Sequence, residues 1–493
     1  MAEIDFFGSS FLGRSKAIDP SRMVNFFPEI NPNKNAKTRV SIIGTPGLSL
    51  ACTVGTGPMR ALYQFGSVLY GLSGNTLYAI NEAMAATAIG TLNTTSGPVS
   101  ISDNGLLAGG EGGNQMIIVD GVDGYIWNPV TKSFAVISSF GSQAAGFPPH
   151  PLAVAYMDTY FIVTNGTMQV STSKQYDGTI WPALAVAFAQ ATSDNIAGPI
   201  NLNDQLMLIK QASCEGWYDT ETAPEVGSPF LIVPGAVGTY GTRSPDTIVS
   251  KNSSIYFLGS QDQQGSVSGI IQMMATSAMG IISPPAITYR ISKLSKITDA
   301  FSYAFDMEGH TFYVTTFPSA DWTLVYDIST KRFFEWSSYR ESDSPDTVGR
   351  HAGNCYAFCY NKHLIGDYRN GNIYQMSSSF YTDAGQPIVS TWISDIYSDR
   401  QDLTNMVFHK LEISAEVGTG DSTQVAPPAV ELSWSNDNAD TWTKPYPVSM
   451  GFTGQYQKRL CWRRLGRGRN RVFKLRCSAP IRKIFGSAIM QVS

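Results

Sequence analysis

Short runs of apolar and aromatic residues recur along the chain from about residue 41, and polar turns separate them. If one residue marks each run, successive runs are 43 to 57 residues apart. The markers are Leu69, Ile117, Tyr160, Leu206, Ile255, Phe312 and Lys362. Several runs lead through a Gly, Asn or Asp turn into a second strand that is rich in aromatic residues, such as Asp123-Gly124 before Tyr125. Such turns tolerate positive φ and suit tight hairpins. The pattern indicates short antiparallel strands.

A repeat of this length, with about four strands in each unit, predicts an all-β protein with a β-propeller. A closed ring buries both faces of every blade, which an isolated blade cannot do. We expect about seven blades over residues 41–387. Six blades are the alternative if residues 215–245 and 262–290 are insertions. An irregular β fold with chance spacing is the competing interpretation.

The pattern changes at both ends of this repeat. Residues 1–40 are rich in Pro, Asn and Ser and predict an extended arm that packs on another part of the protein. Residues 388–493 contain strand-like runs at 411–417, 430–435, 460–465 and 472–476. These runs predict a separate C-terminal antiparallel module that resembles a β-sandwich.

Composition excludes several classes of protein. The 493 residues are 43% hydrophobic and 15% charged, which is typical of a folded domain. We expect no membrane-spanning segment and no signal peptide, because no apolar run is long and uninterrupted enough. The six cysteines are scattered, so reduced thiols are favoured over a disulfide framework.

Charge is strongly asymmetric along the chain. Residues 441–493 contain twelve Lys and Arg residues and no Asp or Glu, whereas residues 1–440 have a formal charge of −16. We expect two strands here, 458–465 and 471–478, joined by a turn at 466–470. The segment could bind nucleic acid, dock on the acidic body of a neighbouring copy, or form a solvated face. The basic residues at its centre are Lys458, Arg459, Arg463, Arg464, Arg467, Arg469 and Arg471.

Two motifs suggest chemistry but do not predict it. His351, Cys355, Cys359 and His363 are spaced by four, yet residues four apart on a strand lie about 13 Å from each other, too far for one tetrahedral zinc. Ser435–Trp442 resembles the Asp-box turn of sialidase-type propellers, with Ala439 where that pattern has Gly, and predicts only a hairpin. No phosphate-binding loop or nucleophile motif occurs. We therefore expect no catalytic residues, no metal and no cofactor, and a protein that is not an enzyme.

Several fragments together resemble one known family, the tail-hub (nozzle) proteins of short-tailed bacteriophages, also called packaged DNA stabilisation proteins. The fragments are Pro20–Pro28, Gly44–Leu48, Leu69–Tyr78, Gly309–Val314, Lys362–Asp367, Gly371–Tyr374 and Trp462–Gly466. The resemblance covers most of the chain in order. It implies a structural virion protein, made in the host cytoplasm, of which six copies form a ring below the portal and adaptor.

The resemblance also implies partners and a role. Such a ring closes the DNA exit, retains the packaged genome, lets double-stranded DNA pass without sequence specificity, and holds a tail needle, fibre or tailspike. Because phosphate contacts would slow ejection, we expect most of the seven basic residues to face neighbouring protein, with the acidic body nearer the channel. The alternatives are a carbohydrate-binding or glycan-hydrolysing propeller and a distal tail adhesin.

Overall fold

About half of the residues lie in β-strands, and very few lie in helices. The computed structural model describes residues 2–4, 6–11, 13–33, 38–106, 113–262, 266–340, 347–399, 404–419 and 426–493. The first five strands are β1 (Ala2–Ile4), β2 (Arg22–Val24), β3 (Phe26–Ile30), β4 (Val40–Gly44) and β5 (Gly47–Thr53).

Six four-stranded antiparallel units then follow one another along the chain. Blade 1 contains β6 (Met59–Phe65), β7 (Val68–Ser73), β8 (Thr76–Ile80) and β9 (Ala86–Thr91). Blade 2 contains β10 (Ser100–Asp103), β11 (Met116–Val119), β12 (Gly124–Asn128) and β13 (Ser133–Val136). Blade 3 contains β14 (Ala153–Met157), β15 (Tyr160–Thr164), β16 (Gln169–Thr172) and β17 (Val186–Phe188).

The second half of the ring repeats this arrangement. Blade 4 contains β18 (Ile196–Leu202), β19 (Gln205–Lys210), β20 (Cys214–Asp219) and β21 (Phe230–Gly238). Blade 5 contains β22 (Val249–Lys251), β23 (Ser254–Ser260), β24 (Val267–Ala275) and β25 (Ala278–Ile281), and helix α1 (Pro285–Ser292) follows it. Blade 6 contains β26 (Phe301–Met307), β27 (His310–Phe317), β28 (Trp322–Asp327) and β29 (Arg332–Trp336). Short 3₁₀ segments occupy Ile137–Ala144, Pro245–Thr247 and Pro318–Ala320.

The seventh blade combines two distant parts of the chain. Strands β30 (Gly353–Cys359), β31 (Lys362–Asp367) and β32 (Asn372–Ser377) are consecutive, and β5 supplies the fourth strand. Met376 of β32 lies opposite Leu48 of β5, which is 2% exposed. The N-terminal part of the chain therefore completes the blade that the C-terminal part of the repeat begins.

The seven markers of the sequence repeat all lie on the second strand of a blade, from Leu69 on β7 to Lys362 on β31. The predicted propeller is thus confirmed, and the described residues form seven blades. The six-blade alternative is wrong. Residues 215–245 include β20 and β21 of blade 4, and residues 262–290 include β24 and β25 of blade 5.

Two short strands, β33 (Thr382–Asp383) and β34 (Gln386–Pro387), extend the sheet of blade 7 beyond β5. The remaining strands build a two-sheet C-terminal module. They are β35 (Ser390–Ile393), β36 (Tyr397–Ser398), β37 (Met406–Ala415), β38 (Ala429–Ser435), β39 (Tyr446–Ser449), β40 (Leu460–Arg463), β41 (Arg467–Gly468), β42 (Asn470–Cys477) and β43 (Ile484–Val492). One sheet runs β3-β4-β43-β37-β40, and β1 and β41 pair with its strands. The other runs β2-β35-β42-β38-β39 and continues from blade 6 through β29. This is the predicted β-sandwich.

The two strands of the basic segment differ from the expectation of a joined pair. Strand β40 pairs with β37 in one sheet, whereas β42 pairs with β35 and β38 in the other. The reason is burial. Trp462 of β40 and Phe473 of β42 both face the interior between the sheets, so each strand has to stand on its own side of that interior.

The largest apolar cluster joins the arm, blades 6 and 7 and the sandwich. Phe27 from the arm contacts Phe312 of blade 6, with ring centroids 5.5 Å apart, and Phe26 contacts Phe485 of the sandwich at 5.7 Å. Strand β2 bridges β29 and β35. The domain boundaries at residues 40 and 387 stay predictions, because strands from residues 2–44 also pair within the sandwich sheets.

Candidate interaction surfaces

Six of the seven basic residues predicted from the sequence lie exposed on the sandwich. We call this set the basic surface, and it consists of Lys458, Arg459, Arg463, Arg464, Arg467 and Arg469. They lie on β40, on β41 and in the loops before and after these strands. Their aliphatic and aromatic sequence neighbours Leu460, Trp462 and Leu465 are buried. The alternation of a strand therefore sends the cations outward on one side of the module.

The backbone between β40 and β41 fixes the direction of these cations. Arg464 has a φ of 59°, in the left-handed region, and Gly466 has a φ of 81°. The Arg464 and Leu465 amides donate to the carbonyls of His409 and Phe408, at 2.9 and 3.0 Å. The left-handed residue lets Leu465 return to the core while Arg463 and Arg464 both remain in solvent.

One member of the basic surface has an anionic partner in its own chain. The guanidinium of Arg459 donates to both carboxylate oxygens of Glu412, at 2.6 and 2.7 Å. These hydrogen bonds, assisted by nearby Lys410, lower the pKa of Glu412 to about 2. Within the described residues, no carboxylate forms an ion pair with the other five cations of the surface.

Arg471 departs from the prediction, because it is buried inside the sandwich with 0% exposure. Its guanidinium lies 4.3 Å from the ring centroid of Phe408 and donates to Asn436 Oδ1 at 2.8 Å and to the Leu465 carbonyl at 2.7 Å. Burial lowers the pKa of Arg471 to about 10. The sequence could not distinguish it from its neighbours, because β42 follows the irregular turn that shifts the alternation. Arg471 holds the two sheets together and is not available to another chain.

The evenly spaced His and Cys residues lie on two strands of blade 7 and the loop before them. Cys355 and Cys359 belong to β30, and His363 belongs to β31. His351 is buried, accepts a hydrogen bond from the Gly353 amide at 3.1 Å, and has its pKa lowered to about 4 by burial. In the part of the chain that the structure describes, no three His, Cys, Asp or Glu side chains cluster in a way that could hold a metal ion.

The turn that resembles an Asp-box connects β38 to β39, an antiparallel pair, as predicted. Asp437 accepts a hydrogen bond from the Thr441 amide at 2.9 Å, and Ser435 Oγ accepts one from the Ala439 amide at 2.9 Å. Ala439 stands where the Asp-box has Gly and has a φ of 69°. The hydrogen bonds hold Ala439 in a conformation that glycine would adopt more readily.

A cavity that sequence reasoning missed lies where the arm, blade 6 and the sandwich meet. Its volume is about 580 Å³, and its walls include Arg22 from the arm, Arg290 from α1, and Trp442 and Lys474 from the sandwich. No local pattern marks these residues, because they are brought together by three separate parts of the chain.

Buried Glu335 of β29 organises one wall of this cavity. Its carboxylate accepts from Arg22 through both oxygens, from Arg290 Nη1 at 3.1 Å and from Trp322 Nε1 at 2.5 Å. Arg290 also lies over the Trp322 ring, 4.3 Å from its centroid. One carboxylate thus ties the arm and α1 to the outer strand of blade 6.

Family comparison identifies both modules. Residues 20–381 match the model for the β-propeller of bacteriophage P22 Gp10, and residues 397–493 match the model for its β-sandwich. The chain belongs to the bacteriophage P22 Gp10 family. The resemblance to packaged DNA stabilisation proteins is therefore confirmed, and both modules of the Gp10 family fold occur here in order. The family consists of phage structural proteins, which places the chain among components of the virion.

Several solved structures share a distant likeness with this Gp10-family chain. The extracellular domain of a hybrid two-component system from B. thetaiotaomicron has 10% identity and a TM-score of 0.41 over 78% of this chain and 45% of that one. PorZ of Porphyromonas gingivalis has 11% identity and a TM-score of 0.38 over 80% and 46%. The Pan2 WD40 domain of Neurospora crassa has 8% identity and a TM-score of 0.39 over 65% and 89%. The chain thus spans less than half of the first two structures. No curated protein matches the chain.

The described helices of this Gp10-family protein are too short and too polar to cross a membrane. Helix α1, which follows blade 5, has eight residues. Its role is to carry Arg290 to Glu335, as described above.

Proposed function

We propose that six copies of this protein form a hub, or nozzle, ring of a phage tail, below the portal and its adaptor ring. The ring closes the DNA exit after packaging, retains the genome and lets it pass on ejection. Its distal side holds a tail needle, fibre or tailspike. The observation that carries the proposal is the match to the P22 Gp10 family over both modules. In this role the protein is structural and not an enzyme.

The charge distribution supports a placement for the basic surface within this ring. Each phosphate contact tightens DNA binding, so six to ten such contacts change affinity by about 10³–10⁵ over modest changes of salt. A lumen lined by the exposed cations of six copies would resist ejection. The five cations that have no anionic partner among the described residues therefore suit a protein neighbour better than a passage for sliding DNA.

Electron microscopy of the purified chain mixed with the portal–adaptor assembly of its phage tests the proposal. We expect a six-fold ring on the adaptor, with most of the basic surface in contact with protein. A chain that stays monomeric beside the assembly overturns the hub. A ring that directs most of these cations into the lumen preserves the hub but refutes their assignment to protein contacts.

DNA retention gives an independent readout. Particles assembled with the protein are expected to keep their genome after filling, whereas particles without it release DNA to an added nuclease. Equal release from both would show that the protein does not close the exit. Binding of the isolated chain to a glycan array, together with no binding to the adaptor, would favour a carbohydrate-binding propeller.

A further inference from the structure

Blades 3 and 4 carry a group of carboxylates at one rim of the propeller, all of them exposed except half-buried Asp219. We call this group, with its apolar neighbours described below, the acidic corner; its carboxylates are Asp158, Asp204, Asp219, Glu221 and Glu225. Asp158 lies in the turn between β14 and β15, and Asp204 lies in the turn between β18 and β19. The other three lie at the end of β20 and in the connection to β21. Because successive strands of a blade alternate in direction, the first and third turns of each blade lie at the same rim.

Four of these carboxylates, Asp158, Asp204, Asp219 and Glu225, contribute to one local electrostatic environment. Burial raises the pKa of Asp158, and the neighbouring charges of Asp219 and Asp204 raise it further. Burial also raises the pKa of Tyr160, and the charges of Asp219, Glu225 and Asp158 raise it further. Among the described residues, no Lys or Arg forms an ion pair with any of the five carboxylates. The corner therefore carries uncompensated negative charge.

Apolar side chains accompany these carboxylates on the surface. Tyr218 and Leu231 lie opposite each other on β20 and β21 and are 42% and 51% exposed. Val226, in the connection between the two strands, is 72% exposed. Neighbouring apolar side chains that remain in water beside charged groups are typical of a protein-binding surface.

The basic surface of the sandwich has the complementary composition. Exposed Tyr456 and Tyr446 accompany its cations, and Tyr446 is fixed beside β40 by a hydrogen bond from Trp462 Nε1 to its carbonyl at 2.8 Å. Val407, also exposed, pairs with Arg467. The sandwich extends from blade 6, whereas the acidic corner belongs to blades 3 and 4, and among the described residues no strand of those two blades pairs with a strand of the sandwich.

We propose that the basic surface of one copy docks on the acidic corner of the next copy around the ring. A contact of each surface with its own equivalent would oppose like charges, whereas a head-to-tail contact pairs opposite charges and apolar groups at every interface. Head-to-tail contacts are also the kind that generate closed rings. This inference rests on the proposed hub and identifies which two surfaces join its subunits.

A charge-reversal cycle on the full-length chain tests the pairing. One variant carries Asp219→Lys and Glu225→Lys, a second carries Arg463→Glu and Arg467→Glu, and a third combines all four. Ring completeness on the portal–adaptor assembly is counted by electron microscopy. We expect the apparent affinity with which each two-residue variant assembles into the ring to fall about tenfold or more. The combined variant should recover most of that loss. The losses of the two-residue variants should be larger at low salt.

Matched controls distinguish a lost interface from a general effect of charge. Exposed Glu82 of blade 1 and exposed Lys296, after α1, belong to neither surface, so Glu82→Lys and Lys296→Glu should leave ring formation unchanged. Unchanged thermal melting of every variant shows that folding is intact. In the wild-type ring, a carboxyl-to-amine cross-linker should join Lys458 of one copy to a carboxylate of the acidic corner of its neighbour.

The outcomes separate this inference from the hub itself. Complete rings from both two-residue variants would overturn the pairing while the hub stands. Losses that the combined variant does not repair, or cross-links from Lys458 to the adaptor, would also overturn it. Absence of a wild-type ring overturns both proposals.

Discussion

Replacement of Glu335 by Gln should loosen the arm from the propeller. The amide keeps the volume of the side chain and can still accept a hydrogen bond from Trp322, so no cavity forms. It removes the negative charge between Arg22 and Arg290, and it presents an NH₂ group to guanidinium donors. The two arginines then lack their common anion, although their side chains, 28% and 33% exposed, regain some water.

The burial of Glu335 and the partial exposure of its two arginine partners set the size of the expected loss of stability. Removal of one partner of a fully buried ion pair costs about 3–5 kcal/mol. Here the carboxylate is 0% exposed, but both cations reach solvent, so we expect about 2–4 kcal/mol. At 1.36 kcal/mol per factor of ten, this corresponds to a loss of about 30- to 1,000-fold in protection against local opening.

Hydrogen exchange followed by mass spectrometry measures this loss directly, since it reports opening of single segments in a large protein. Protection should fall in β2 and α1 and stay unchanged in blades 2–4. The matched control is Asp440→Asn, whose ion pair with Lys16 at 2.9 Å is mostly exposed and should contribute about 1 kcal/mol or less. Equal protection of β2 in wild type and Glu335→Gln would refute the reasoning.

Three further predictions concern other parts of the chain. Leu48→Ala on the closing strand β5 should lower the free energy of unfolding by about 2–5 kcal/mol and lower the melting temperature. Leu50, on the same strand, is 53% exposed, so Leu50→Ala should change the melting temperature little. Equal effects of the two substitutions would contradict closure of blade 7 by β5. Burial raises the pKa of Asp383 to about 6, so its contribution to stability is present below about pH 4 and is lost as pH rises through 6. Asp383→Asn should therefore gain stability relative to wild type on going from pH 4.5 to 7.5 in thermal melts, and parallel pH curves would refute this. Because hydrogen bonds from Arg459 lower the pKa of Glu412 to about 2, their contribution is present above pH 4.5 and is lost as pH falls towards 2. In an NMR titration, Arg459→Gln should move the pKa of Glu412 upwards, and an unchanged value would show that Lys410 alone lowers it.

The sequence predicted the repeat well because blades 1–6 and the first three strands of blade 7 are local structures. Their strands pair with neighbours that are close in the chain, so apolar periodicity and turn residues are enough to locate them. Consecutive positive φ values at Asn203-Asp204 and Asn252-Ser253 show why Asn, Asp and Ser mark the hairpins. The blade markers therefore identified the second strand of all seven blades, and the change of pattern after residue 387 indicated the sandwich.

Long-range pairing could not be deduced in the same way. That β5 completes blade 7, or that β40 and β42 lie in different sheets, depends on contacts between residues far apart in the chain, for which the local pattern carries no signal. The burial of Arg471 is the clearest case. A residue that looks like five exposed arginines nearby is placed inside by the left-handed turn at Arg464 and by the ring of Phe408.

Sequence alone thus determined the β class, the repeat, the family and the separation of charge, because these are properties of composition and local order. Only the tertiary structure decided which cations are exposed, that Glu335 links the arm to blade 6, and that carboxylates from three turns form one acidic corner. Each of these depends on where distant segments meet, and this is set by burial of apolar surface over the whole molecule.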